Sequence, residues 1–123
     1  MKLAEYTIGA TSTLLDAAAK MNANRARTVL LVEGGKLTGL ISEGDVMRAL
    51  LRGVDTTTLA LVAVNRSFRF LTSRDERAAF QMFQAHAFGL VPVIDADFRL
   101  VDVITLDQVL VRLTWPDPSA NDA

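Results

Sequence analysis

The chain repeats itself. The segment Val32-Glu33-Gly34-Gly35-Lys36-Leu37-Thr38-Gly39-Leu40-Ile41-Ser42 returns as Ile94-Asp95-Ala96-Asp97-Phe98-Arg99-Leu100-Val101-Asp102-Val103-Ile104-Thr105. From Val32 to Ile94 is a step of 62 residues, and from Ser42 to Thr105 a step of 63. The additional residue falls in a Gly/Asp-rich stretch, where a hairpin loop absorbs it without displacing the flanking strands. A duplication of this kind changes the meaning of every other feature, because what one copy forms the other is expected to form as well.

The flanks repeat too. Upstream of each hairpin lies an amphipathic helix pattern, carried by Leu14, Ala17, Ala18 and Met21 in the first copy and by Ala79, Phe80, Met82 and Phe83 in the second. Ser12 or Thr13 can cap the first helix, and Ser73 with Glu76 reads as a capping box for the second. Downstream, Val46, Met47, Leu50 and Leu51 answer to Val109, Leu110 and Leu113, with Gly53 as a stop signal. Tyr6 to Ile8 and Phe68 to Leu71 are the expected leading strands, so each half reads strand, helix, strand, hairpin, strand, helix.

A half of about 60 residues is marginal alone, and the economical arrangement packs two small sheets against each other with pseudo-twofold symmetry. The expected class is therefore α+β, built from an α/β-type repeat, with residues 1–58 as the first unit, 59–114 as the second and 115–123 as a tail or linker. Asp55-Thr56-Thr57-Thr58 is read as the cap of a short helix through Leu59 to Val64.

Composition excludes several function classes. Half of the 123 residues are hydrophobic, and 13 Lys plus Arg stand against 14 Asp plus Glu for a net charge of −1. Nucleic-acid binding rests on neutralising many phosphates at once, and this balance offers no such field. With no Cys there is no disulfide framework, thiolate zinc site or thiol nucleophile. The longest apolar run, Leu59 to Val64, is far short of the roughly 20 residues a bilayer-spanning helix needs. The start of the chain places Glu5 where a signal peptide would build its apolar stretch. The reading is a soluble, cytoplasmic chain.

The sharpest local feature is Gly39-Leu40-Ile41-Ser42-Glu43-Gly44-Asp45-Val46, an apolar strand running straight into a helix N-terminus. Unpaired N–H groups and the helix dipole favour an anion there, Ser42 adds a hydroxyl, and Asp45 is an acceptor able to take both hydroxyls of a ribose. The same residues also make sense with no ligand at all: Ser42 caps the helix and Asp45 suits its first turn.

These motifs resemble a CBS domain pair, or Bateman module. Val32 to Asp45 is similar to the family pattern of a Val-Asp-x-x-Gly-Lys/Arg-Leu hairpin followed by Gly-aliphatic-aliphatic-Thr/Ser-x-x-Asp, and Leu90 to Asp95 resembles the strand that opens a second repeat. The likeness runs from about Tyr6 to Leu113. It implies a regulatory module rather than an enzyme, binding AMP, ADP, ATP or S-adenosylmethionine between the repeats. Ser42 then maps onto the phosphate-side hydroxyl and Asp45 onto the ribose carboxylate. Ser42 to Gly53, with Asn65 to Phe68, is further similar to pairs fused ahead of sugar-phosphate nucleotidyltransferases, which implies a fused or separate enzyme partner.

The second copy departs from that pattern. Thr105 keeps the hydroxyl, but Gln108 replaces the carboxylate and Asp102 replaces a strand glycine. One competent site around Ser42 and Asp45 is expected, with the other weakened. Glu43 and Gly44 belong to the same turn, and Glu43 sets an anion beside the expected phosphate. Arg48, Arg66 and Arg69 are the cations suited to a phosphate, while Ile8 and Phe70 could flank an adenine or simply fill the core.

His86 is the sole histidine and is read as structural at a helix end, and Asp95 with Asp97 as turn chemistry rather than a calcium loop. No metal site and no Ser/His/Asp arrangement can be assembled. The alternative to a sensor is a ligand-free dimerisation or scaffolding module. The family habit of pairing into homodimers through helices makes Leu14, Met21, Phe80 and Phe83 candidate surface, with helical core as their other reading.

Overall fold

A computed structural model describes residues 2–86 and 88–114; the tail from 115 lies outside them. A 3-10 turn, Leu3–Tyr6, leads into β1 (Thr7–Ile8), followed by α1 (Leu14–Asn24), β2 (Thr28–Glu33), β3 (Lys36–Ser42) and α2 (Glu43–Leu51). A 3-10 turn at Ala60–Ala63 precedes α3 (Glu76–Ala85), β4 (Leu90–Ile94), β5 (Leu100–Thr105) and α4 (Leu106–Thr114). The result is mixed α+β with two small sheets, ordered β1-β2-β3 and β4-β5.

The duplication extends to irregularities. The β2–β3 register shifts between Leu31 and Val32, and the β4–β5 register shifts between Val93 and Ile94, the equivalent place. In the first hairpin Gly34 and Gly35 both take positive φ, 58° and 80°. The longer second loop puts Phe98 at φ 63° instead, and the Asp95 carboxylate accepts the N–H groups of Asp97 and Arg99. Turn chemistry thus accounts for Asp95.

Three apolar clusters explain why β2 is buried on both faces. Val29 and Leu31 face α1 and α2, joined by Ile8, Leu14, Met21 and Ala49. Leu30 points the other way, where it meets Tyr6, Leu37, Leu90, Ile94 and Val103, so the two sheets pack face to face. Val91, Val93 and Ile104 face α3 and α4 with Ala79 and Val109. The layers run helices, sheet, sheet, helices. Leu14 and Met21 are core, at 0% and 5% exposure, and not a surface for a second copy; Phe80 and Phe83 are half-buried against the third cluster.

Two expected elements differ. Phe68 to Leu71 is not a strand: it contributes a single parallel bridge, Leu71 to Val93, with the Leu71 N–H donating to the Pro92 carbonyl and the Ile94 N–H to Leu71. One step back along a parallel ladder the Arg69 carbonyl would need the N–H of residue 92, and proline has none. Leu30 stands at that place in the first half, so β1 does pair with β2, although Tyr6 belongs to the preceding 3-10 turn. The cap of α3 is Asp75, whose carboxylate accepts the Ala78 N–H, rather than Ser73. Thr13 caps α1 in a reciprocal box with Asp16. The segment after α2 forms a 3-10 turn without a side-chain cap; Asp55 instead closes its own turn by accepting the Thr57 N–H. That turn seats Ala60 in the first half's core.

Candidate functional site

Both strand-to-helix junctions open onto one cleft of about 900 Å³ between the halves. Ser42, Glu43, Gly44 and Arg48 contribute from the first half, Thr105, Leu106, Asp107 and Gln108 from the second. Each junction is tied to the preceding helix-to-strand loop of its own half. The Glu43 N–H donates to the Arg27 carbonyl at 2.9 Å, and the Leu106 N–H to the Gly89 carbonyl at 2.9 Å.

At the first junction the sequence builds a capping box. Ser42 Oγ accepts the Asp45 N–H (3.2 Å), while Asp45 Oδ2 accepts both the Ser42 N–H and the Ser42 hydroxyl (2.9 Å each). Asp45 Oδ1 accepts from Arg48 Nη2 at 2.7 Å. The Arg48 guanidinium lies back over the first turn of α2, since a Cβ on Gly44 would come within 3.2 Å of its Nη1. A cation is therefore held at a helix N-terminus, where a phosphate would exchange one anion partner for another.

The second junction repeats the box with a neutral side chain. Thr105 Oγ1 accepts the Gln108 N–H and Gln108 Oε1 accepts the Thr105 N–H, each at 3.2 Å. Gln108 Oε1 also accepts from Arg74 Nη2. Asp102, in place of glycine, turns to Arg74 Nη1 at 2.9 Å. Burial pushes the Asp102 carboxyl upward, but the Arg74 and Val103 N–H donors outweigh it and hold it below its ordinary value.

Asp45, Ile8 and Arg66 are sequence candidates that do not line the cleft; the Asp45 carboxylate turns back onto Ser42 and Arg48. Ile8 pairs with Leu31 in the first core and borders a separate groove of about 880 Å³ beside α1. Arg66 binds Glu33 (3.2 Å) and the Thr38 carbonyl (3.2 Å) at the far end of the first hairpin. Arg69 borders a smaller cavity of about 280 Å³ with Phe68, which shares His86 and Phe88 with the main cleft. The His86 ring stacks on Phe88 at 5.6 Å.

The cleft also holds residues that sequence reasoning missed. Arg25 and Arg27 flank its mouth at φ 61° and 57°, a left-handed conformation that costs about 1 kcal/mol per non-glycine residue. Asn24 fixes that loop, its Nδ2 donating to the Glu5 and Thr28 carbonyls and its Oδ1 accepting the Ala26 N–H. Two arginines in a three-residue link between helix and strand were the available signal. Among the described residues no group of three or more His, Cys, Asp or Glu could hold a metal ion, and no helix is long and apolar enough to cross a membrane.

Comparison with known proteins agrees with this architecture. Over 86 residues the chain is 34% identical to arabinose 5-phosphate isomerase KdsD of Pseudomonas aeruginosa, a match covering 68% of this chain and 26% of that protein. The chain spans 26% and 32% of the curated relatives it matches. A Vibrio cholerae structure assigned to acetoin utilization (AcuB) is 28% identical with a TM-score of 0.74, covering 89% of this chain and 82% of that one. The CBS domain protein PAE2072 of Pyrobaculum aerophilum, solved in complex with AMP, superposes with a TM-score of 0.69 at 20% identity, over 88% of this chain and 89% of that one. The CBS domain family model matches residues 3–52, the first of the two halves whose sheets, bulges and capping boxes repeat. Residues 3–52 thus match the CBS domain family, and the chain has the fold of a CBS domain pair.

Proposed function

We propose that the central cleft binds an adenosine nucleotide, and that the module reports its occupancy to a catalytic domain, fused or separate. The observation that carries this reading is the convergence of both helix N-termini and three arginines, Arg25, Arg27 and Arg48, on one cleft. Ser42, Gly44 and Arg48 would take the phosphate and Asp45 the ribose, with Thr105 and Gln108 across the cleft. Glu43 and Asp107 share that lining, so the positive excess is small and favours AMP over ADP, ATP or S-adenosylmethionine. The AMP complex of PAE2072 supports the ligand class. Longer relatives such as the sugar-phosphate isomerase support a linked enzyme, whether of that kind or a sugar-phosphate nucleotidyltransferase, with no catalysis by this module itself.

A thermal-shift series with AMP, ADP, ATP, S-adenosylmethionine and GMP tests it. Ligand at 100 times its Kd stabilises the fold by about 2.7 kcal/mol, a shift of several degrees. Flat melts with every adenosine compound favour the second reading, a ligand-free scaffold, which rests on the fact that Asp45 and Gln108 are already committed to their caps. Either reading allows a homodimer, and the apolar stripe for it is Met47, Leu50 and Leu51 on α2, exposed by 54%, 39% and 80%. Light scattering should give a dimer mass that Leu51→Glu reduces to a monomer.

A further inference from the structure

Thr28 opens β2 directly opposite Ser42 in the antiparallel ladder. Side chains so paired project to the same face about 5 Å apart, so Thr28 points where Ser42 points, and both line the central cleft. Thr28 is 1% exposed, and its Oγ1 is a buried polar atom with no hydrogen-bond partner. Its neighbour does not supply one. Ser42 Oγ is engaged twice by Asp45, and Asn24 bonds the Thr28 carbonyl rather than the hydroxyl. Buried hydroxyls are almost always satisfied, so an orphan in a cleft wall marks a partner that arrives from outside. The equivalent pair in the second half is Leu90 opposite Thr105. Only the first wall carries the additional hydroxyl.

We infer that Thr28 is a specificity-determining residue, whose hydroxyl hydrogen-bonds the base edge of the bound nucleotide and makes the two walls of the cleft unequal. This rests on the nucleotide reading above. The base is assigned because Thr28 is buried, whereas the cations that suit a phosphate, Arg25, Arg27 and Arg48, are exposed. A charged phosphate belongs at the rim, where it keeps much of its hydration, and the flat apolar base belongs within.

The test compares wild type, Thr28→Val and Thr28→Ser by calorimetry with AMP and with ribose 5-phosphate. Valine matches threonine in shape and lacks only the hydroxyl, so its ligand-free melting temperature should not fall. Its AMP affinity should drop roughly five- to tenfold, the worth of one hydrogen bond. Serine should retain the affinity, and ribose 5-phosphate should bind wild type and valine variant alike. AMP affinity unchanged in Thr28→Val, an equal loss for ribose 5-phosphate, or a lowered ligand-free melt would each overturn the assignment. Failure of the wild type to bind any nucleotide would instead remove the reading on which the assignment rests.

Discussion

Arg74, just ahead of α3, holds Asp102 of β5 at 2.9 Å, and the same guanidinium reaches Glu76 and Gln108. One side chain thereby gathers the residues by which the second half departs from the first. Asp102 titrates below its ordinary value of 3.8. A carboxyl depressed in the folded state adds stability that is fully present above the unfolded value and is lost as pH falls through the folded one. With side-chain exposures of 37% and 29%, the pair is well screened. Arg74→Met should cost about 0.5–1 kcal/mol at pH 7, and the gap from wild type in urea melts should close as pH drops below about 4. A gap that persists at low pH would show that Arg74 stabilises by packing alone.

Gly39 is the first-half counterpart of Asp102, and its constraint is steric. A Cβ there would collide with Cγ2 of Val64, in the segment that follows the 3-10 turn at Ala60–Ala63. Gly39→Ala should destabilise by about 1–3 kcal/mol, as overpacking does. Val64→Ala in the same chain should recover most of that loss, a coupling that a double-mutant cycle in urea reads directly. Additive losses would place the cost elsewhere.

Much of the fold was legible because the repeat carries it. Helices α2 and α4 are each nine residues, offset by the same step of 63 as Ser42 and Thr105. What could not be read depended on partners distant in sequence. Phe68 and Phe70 alternate like a strand, yet Pro92 withholds the N–H the ladder needs. Ile8 reads as a cleft residue until its parallel pairing with Leu31 turns it toward the helices. Ser42 and Asp45 were visible, since a capping box and an anion site use the same residue types. Arg25 and Arg27 were not, because nothing in the identity of arginine announces a left-handed backbone.

Gly89 marks a close approach between the halves. A Cβ on it would strike the Ala26 backbone carbonyl, and the Ala26 N–H is pinned by Asn24 Oδ1 at 2.8 Å, so neither side can yield as a flexible side chain would. Gly89→Ala should therefore cost more than Gly39→Ala, about 2–4 kcal/mol, and lower the melting temperature accordingly. A change below about 0.5 kcal/mol would mean that the loops separate freely.

Asp45 serves the cap and is proposed to serve the ribose, and the second half supplies the substitution that separates these roles. Asp45→Ala removes the acceptor for the Ser42 N–H and the partner of Arg48, and should cost the ligand-free fold about 1 kcal/mol. A loss of binding in that variant would be ambiguous. Gln108 already forms the same box through an amide, so Asp45→Gln should keep the ligand-free melt close to wild type. It lacks the charge that strengthens a hydrogen bond to a sugar hydroxyl, and AMP affinity should fall about tenfold or more. Calorimetry with AMP and with 2′,3′-dideoxy-AMP decides the matter: the loss should appear for AMP and vanish for the sugar without hydroxyls. Equal affinities of Asp45→Gln and wild type for AMP would leave Asp45 as a helix cap and move the ribose contact elsewhere in the cleft.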